Sequence, residues 1–357
     1  MAALKYIVFF VFVAVSLMLN LNMPKKIIDH IQMVTVAGYD TAEEDKLQGT
    51  VVTPDYTQPD QVDDVVYTDT AGTVYENRVK LNAKSTERLL NGKLQAVLYN
   101  QDLAEQGIID FIEFLTRDPS IGGDVYLAVT EGPTRDIINA VQTNKGMGIF
   151  FKDLFEHNIE HGNLPQINLK EFVSGWKSAT RDPFLPLLTV SNGVPELTSI
   201  AFFDDNQMVD TLPVERAIIF KMLYEEINDG QYQYKSSDYY ISVENLETAK
   251  DVSVENSGGS TAVTINLQLR GSIREFTGTQ VLDKLANVES DIEKDITQNA
   301  EKLISRFQEL AIDPLNIEGD VKASNRHHDK EQFKDVYEDM PINVKTDVKL
   351  TESGTRR

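Results

Sequence analysis

The chain has 357 residues, of which 41% are hydrophobic, and its 34 basic against 56 acidic side chains give a net charge of -22. So acidic a surface repels nucleic-acid phosphates and anionic headgroups, so nucleic acid is excluded as an expected partner and direct adhesion of the body to anionic lipid is not expected. Cysteine is absent, which removes disulfides, thiolate metal sites, cysteine nucleophiles and thioether lipidation.

The one strongly apolar run comes first. It spans residues 6–23 and is built from Tyr6, Ile7, Val8, Phe9, Phe10, Val11, Phe12, Val13, Ala14, Val15, Leu17, Met18 and Leu19. As a helix it reaches roughly 27 Å, against a hydrocarbon core of about 30 Å. A cleaved signal peptide is the competing reading, because Ala14-Val15-Ser16 passes as a small-x-small site. Cleavage there leaves an apolar LMLNLNM terminus, so a retained anchor over residues 1–26 is expected. Lys5 argues for a cytoplasmic N-terminus and Lys25 and Lys26 against it, which leaves orientation open.

Met33 to Tyr39 and Leu47 to Thr53 are β-rich, and Pro54 to Thr70 reads as an acidic, proline-bearing loop. Ser85 caps a short helical stretch. A strand at Leu94 to Tyr99, a helix at Asp102 to Thr116 with Ile108, Ile109, Ile112 and Leu115 on one stripe, and a strand at Val125 to Val129 predict a locally parallel pair. Pro133 starts another helix, and Phe150 to Ile159 and Leu169 to Trp176 supply two more. Three prolines and Ser191-Asn192-Gly193 mark Pro183 to Pro195 as the main domain boundary. Beyond it, Ile200 to Phe203 and Met208 to Leu212 form a hairpin leading into a helix at Val214 to Ile227. A second hairpin flanks Asn256-Ser257-Gly258-Gly259-Ser260. Leu285, Val288, Ile292, Ile296, Ala300, Leu303, Phe307 and Leu310 then stripe a long helix over 281–310, placed against a C-terminal sheet.

Catalytic patterns are sparse. His157-Asn158-Ile159-Glu160-His161 matches H-x-x-E-H, in which two histidines one turn apart ligate zinc and the glutamate acts as base. Gly162-Asn163-Leu164-Pro165 ends that helix at once and no third-ligand motif follows, so a metal hydrolase is the weak alternative. His327-His328 reads as a solvated turn, Gly146-Met147-Gly148 as a turn rather than a dinucleotide loop, and Trp176 as core or interface packing. No cofactor is expected.

Several stretches carry a resemblance. Leu310-Ala311-Ile312-Asp313-Pro314-Leu315, Asp320, Phe333-Lys334-Asp335-Val336-Tyr337, Pro341 to Val348 and Ser353-Gly354 resemble the C-terminal domain of spore germination C subunits, the GerC-like lipoproteins of nutrient germinant receptors. Met33 to Asp40 is similar to that family's first strand after its anchor, and Ala201 to Leu212 to the hairpin opening its second half. Where the family has its lipidated cysteine this chain has Asn22, which cannot be lipidated. Phe333 replaces a frequent tryptophan. The resemblance implies an α/β and α+β multidomain fold, mixed β-sheets flanked by helices behind an N-terminal membrane-anchor helix. The expected domains are 27–197 and 198–354. It further implies a non-enzymatic subunit at the outer face of the inner spore membrane, partnered by A-type and B-type membrane subunits. A free-standing membrane-tethered extracytoplasmic binding or stress protein is the other reading.

Overall fold

The computed structural model describes residues 6, 31–58, 61–257, 260–277, 285–325 and 329–352. Of the apolar run only Tyr6 falls among them, and it is exposed. The anchor positions from Ile7 to Leu19, and Asn22, lie outside the described residues, as do His327-His328 and residues 281–284. No helix among the described residues is long and apolar enough to cross a membrane.

In chain order the elements are β1 (Ile31–Met33), β2 (Val36–Ala42), β3 (Lys46–Gln58), β4 (Gln61–Ala71), α1 (Val74–Lys84), β5 (Arg88–Leu90) and β6 (Ala96–Asn100). Next come α2 (Gln101–Gln106), α3 (Ile109–Arg117), β7 (Tyr126–Thr130), α4 (Thr134–Asn139), α5 (Met147–Glu160), α6 (Leu169–Trp176), β8 (Phe184–Ser191), β9 (Val194–Asp204) and β10 (Gln207–Pro213). The chain continues through α7 (Val214–Tyr224), β11 (Gly230–Lys235), β12 (Tyr240–Ser257), β13 (Ser260–Phe276), α8 (Leu285–Glu309), α9 (Ile317–Ser324), α10 (Lys330–Tyr337) and β14 (Ile342–Glu352).

An eight-stranded sheet runs β10-β9-β8-β7-β6-β2-β3-β4. Its centre, β2, β6, β7 and β8, is parallel, and antiparallel strands extend it at both ends. Every residue of β6 is buried, as a central parallel strand requires when helices cover both faces. The predicted parallel pair is β6 and β7. Its intervening helix is broken into α2 and α3 at Gly107, whose φ of 117° suits glycine. There Ile108 N donates to Asn206 O at 3.1 Å, and a Cβ on Gly107 would clash with Asn206 Oδ1.

One expectation is corrected. The described residues of the stretch Pro54 to Thr70, 54–58 and 61–70, are strand, not loop: β3 and β4 pair from Leu47↔Ala71 out to Gln58↔Gln61. Proline is tolerated there because β2 pairs with β3 only as far as Val52, leaving Pro54 with a free flank. Ser85 caps a helix at its C-terminal end, its N–H donating to Leu81 O. The stretch Pro183 to Pro195 covers β8, the turn after it and the start of β9, which pair as a hairpin within one sheet.

The second large sheet, β11-β12-β13-β14, is covered on one face by α8. In β13, Val263, Ile265, Leu267 and Leu269 are buried, while Gln268 and Arg270 are exposed. That alternation gives one core face and one wet face. The predicted stripe of α8 packs inward through Val288, Ile292, Ile296, Ala300, Leu303 and Phe307. Its acidic flank is also engaged with the sheet. Glu289, Glu293 and Glu301 accept from Leu350 N (2.9 Å), Val348 N (3.0 Å) and Val344 N (3.5 Å) along the edge strand β14. On the other flank Asp291 and Asp295 accept from Tyr239 OH and Tyr232 OH.

Candidate functional site

Among the described residues a dense polar knot forms where the loop before β8 meets the loop after α8. Asp182 N donates to Asp313 O at 3.1 Å, and Asp313 N donates to Asp182 Oδ2 at 2.6 Å. The Asp313 carboxylate accepts from Ile317 N (2.9 Å) and Glu318 N (2.7 Å), capping α9. Asn316, the residue before α9, makes no such cap and sits at φ 64°; its Oδ1 accepts from Thr180 Oγ1 at 2.8 Å. Tyr337 OH donates to Ile312 O, and Gln308 Nε2 donates to the carbonyls of Tyr337 and Met340. The segment Leu310 to Asn316 thereby ties β8, α9 and α10 together.

Burial pushes the Asp313 carboxyl up to about 7; its two backbone donors work against this shift, and the neighbouring Asp182 and Glu318 reinforce it. Beside it lies a cavity of about 440 Å³ walled by Trp176, Arg181, Asp182, Phe333 and Tyr337 among others. Its best-placed cation is already engaged: Arg181 donates to Tyr224 OH at 3.3 Å and Ser174 Oγ at 3.1 Å. A buried lysine and a half-buried one act alike. Lys221 Nζ donates to Ile159 O (2.6 Å) and Gly162 O (3.1 Å) at the end of α5, and Lys250 Nζ to Leu223 O (2.8 Å) and Tyr224 O (3.2 Å) at the end of α7. Desolvation lowers both lysine pKa values.

Parallel sheets usually bind ligands beyond the carboxyl ends of their strands, at the point where the chain reverses direction across the sheet. Here that point lies between β2 and β6, and its polar side chains serve the fold. Asp40 accepts from Thr134 N (2.7 Å) and Thr134 Oγ1 (2.6 Å) at the start of α4. Asn100 Oδ1 caps α2 through Leu103 N at 2.9 Å.

Of the sequence candidates, His157 and His161 are brought together, ring centroids 5.7 Å apart at the C-terminal end of α5. His161 Nδ1 lies 3.7 Å from Asp229 and its Nε2 3.9 Å from Glu160. Among the described residues no group of three or more His, Asp or Glu side chains is arranged to hold a metal. Gly146, at φ 92°, opens α5, and the Met147 N–H donates to Asp64 Oδ2 at 2.7 Å, so the expected turn is a helix start. Trp176 is partly buried against the core. Asp182, Lys221 and Lys250 carried no sequence signal, since lone polar residues reveal a capping role only through distant partners.

The arrangement defines a class of protein: a multi-sheet α/β scaffold whose buried polar groups bind its own elements to one another. Residues 24–190 match the family described as "Spore germination protein N-terminal domain", and residues 198–354 match "Spore germination B3/ GerAC like, C-terminal". The spore germination protein GerQC of Bacillus cereus is 30% identical over 92% of this chain and 94% of its own length. The crystal structure of the GerBC protein shares the fold, with a TM-score of 0.59 at 13% identity, covering 88% of this chain and 96% of that one. The chain belongs to the spore germination protein family.

Proposed function

We propose that this protein is the C subunit of a nutrient germinant receptor, held at the outer face of the inner spore membrane by its N-terminal apolar run. It supports receptor assembly or signal coupling beside A-type and B-type membrane subunits, without catalysis of its own. The observation that carries this reading is the ordered match of both halves of the chain to the germination family, with one relative similar along nearly its whole length. Buried Asp40, Lys221 and Asp313 favour a scaffolding role, because each is spent on a helix end or a loop. A partner of this kind acts by binding one receptor conformation better than another. In this reading the halves 27–197 and 198–354 share the eight-stranded sheet.

Deletion of the gene in spores tests the proposal. Response to at least one nutrient is expected to be lost while non-nutrient triggers still work, and the tagged chain is expected to co-purify with A-type and B-type subunits. Unchanged responses to every nutrient tried would overturn it. Replacing His157 and His161 together by Ala is expected to leave germination intact; its loss in a folded protein would favour the hydrolase reading.

A further inference from the structure

The outer face of α1 departs from the acidic character of the molecule. Between Val74 and Lys93 the chain carries five basic residues, Arg78, Lys80, Lys84, Arg88 and Lys93, against two acidic ones, Glu76 and Glu87. Val74, Asn77 and Leu81 turn inward, whereas Tyr75 is 70% and Val79 54% exposed. With Ala83, also exposed, they recur every four residues and form one apolar stripe. Lys80 and Lys84 are held by Glu76 (2.8 Å) and Asp69 (2.9 Å). Arg88 and Lys93 are exposed and carry no ion pair among the described residues.

This face adjoins the point where the chain arrives from its apolar run. Ile31 of β1 pairs with Arg88 of β5, and Ser85, the residue closing α1, donates to Gln32 Oε1 at 2.6 Å. Val79 stands about 9 Å along the helix from Ser85, and Tyr75 about 15 Å. The connecting residues 24–30 reach at most about 25 Å. A body tethered at Ile31 on so short a lead keeps one of its nearby surfaces against the bilayer.

We infer that the α1–β5 face is the membrane-facing surface of the body, with Tyr75 and Val79 at the headgroup level and Arg88 and Lys93 on anionic lipid phosphates. Tyrosine suits that depth, its ring apolar and its hydroxyl wet. Basic residues suit the lipid charge, and placing them here allows a chain of net charge -22 to approach a surface that its other faces repel. This inference rests on the tethered reading of the proposed function.

The absence of cysteine makes the test direct. The full chain is reconstituted into phosphatidylcholine vesicles with or without phosphatidylglycerol, carrying one fluorophore at Val79→Cys or, on the open face of the four-stranded sheet, at Gln268→Cys. Lipids bearing a shallow quencher are expected to quench the label at position 79 several-fold more than that at 268, and more with phosphatidylglycerol present. Arg88→Glu combined with Lys93→Glu is expected to abolish the phosphatidylglycerol dependence. Equal, weak quenching at both positions in a protein that resists carbonate extraction overturns the inference and leaves the tether standing. Extraction by carbonate removes the tether and the inference with it. Quenching that appears only after A-type and B-type subunits are added also overturns it, making the face a protein interface.

Discussion

Asp313 caps α9 while buried in the knot, and these two roles pull its proton in opposite directions. Its backbone donors favour the carboxylate, burial favours the acid, and the net effect raises the pKa from 3.8 to about 7. A carboxyl with a raised folded pKa imposes no penalty below its unfolded pKa. Stability is then lost as pH climbs, because the unfolded chain releases a proton that the folded chain retains. The loss grows from about pH 4 and levels off near pH 7, reaching about 4 kcal/mol, since each tenfold change in acidity is worth about 1.36 kcal/mol. Asp313→Asn removes this titration and forfeits one backbone bond. The variant is therefore expected to gain on the parent as pH rises from 5 to 8, by roughly 2–3 kcal/mol, as read from denaturant melts at both pH values. A gap of constant size would show that Asp313 titrates alike in folded and unfolded chains.

Edge strands are the problem that two helices solve here with opposite chemistry. On β14, Glu289, Glu293 and Glu301 of α8 occupy backbone N–H groups, and Thr297 meets Thr346 at 2.9 Å between them. On β4 it is carbonyls that are occupied: Thr68 O by Lys84 and Thr70 O by Lys80, both from α1 and both on the same side of the strand. An open edge invites strand addition from another chain, so both ladders discourage it. Replacing Glu289, Glu293 and Glu301 together by Ala leaves three edge donors bare, at roughly 0.5–1.5 kcal/mol for each bond lost. That triple variant is expected to lose stability and to form higher oligomers by light scattering; a monomer of unchanged stability would deny the glutamates this role. The same ladders explain what the sequence showed and what it hid. The stripe of α8, the β6–β7 pair and both hairpins follow from local periodicity and turn residues, and they stand where expected. β4 read as loop because its acidic residues and the nearby Pro54 look solvated until α1 is seen occupying its carbonyls. β5 and β11 are short, and they acquire strand character only from β1 and β12. The knot was half legible: Asp313 lay in a motif resembling the germination family, but Asp182, 131 residues away, had nothing to mark it.

At the scale of the whole molecule, the two large sheets are joined by an aromatic seam as well as by the knot. Phe202 of β9, Phe220 of α7 and Phe307 of α8 are fully buried. Phe202 lies 4.8 Å from Phe307 and 4.9 Å from Phe220 between centroids, both edge-on, and Phe184 and Tyr224 extend the seam. Phe307 is where the helix that covers the four-stranded sheet enters the core of the eight-stranded one. Arg306, its neighbour, pairs with Asp210 of β10 alongside. Cutting Phe307 back to Ala creates a cavity between the sheets and costs about 3–5 kcal/mol, with a further ~1 kcal/mol from the lost edge-on ring contacts. The position matters more than the magnitude, because the cost falls on the seam and leaves both sheets otherwise intact. Val348→Ala, in the layer between α8 and β14, is the matched control, since Val348 is equally buried but lies inside one half. Calorimetry is expected to show the parent and Val348→Ala melting in one transition and Phe307→Ala in two, with the midpoints drawn apart. If Phe307→Ala melts once, merely at a lower temperature, the seam contributes stability without coupling the sheets, and the knot at Asp182 and Asp313 suffices to hold them as one unit.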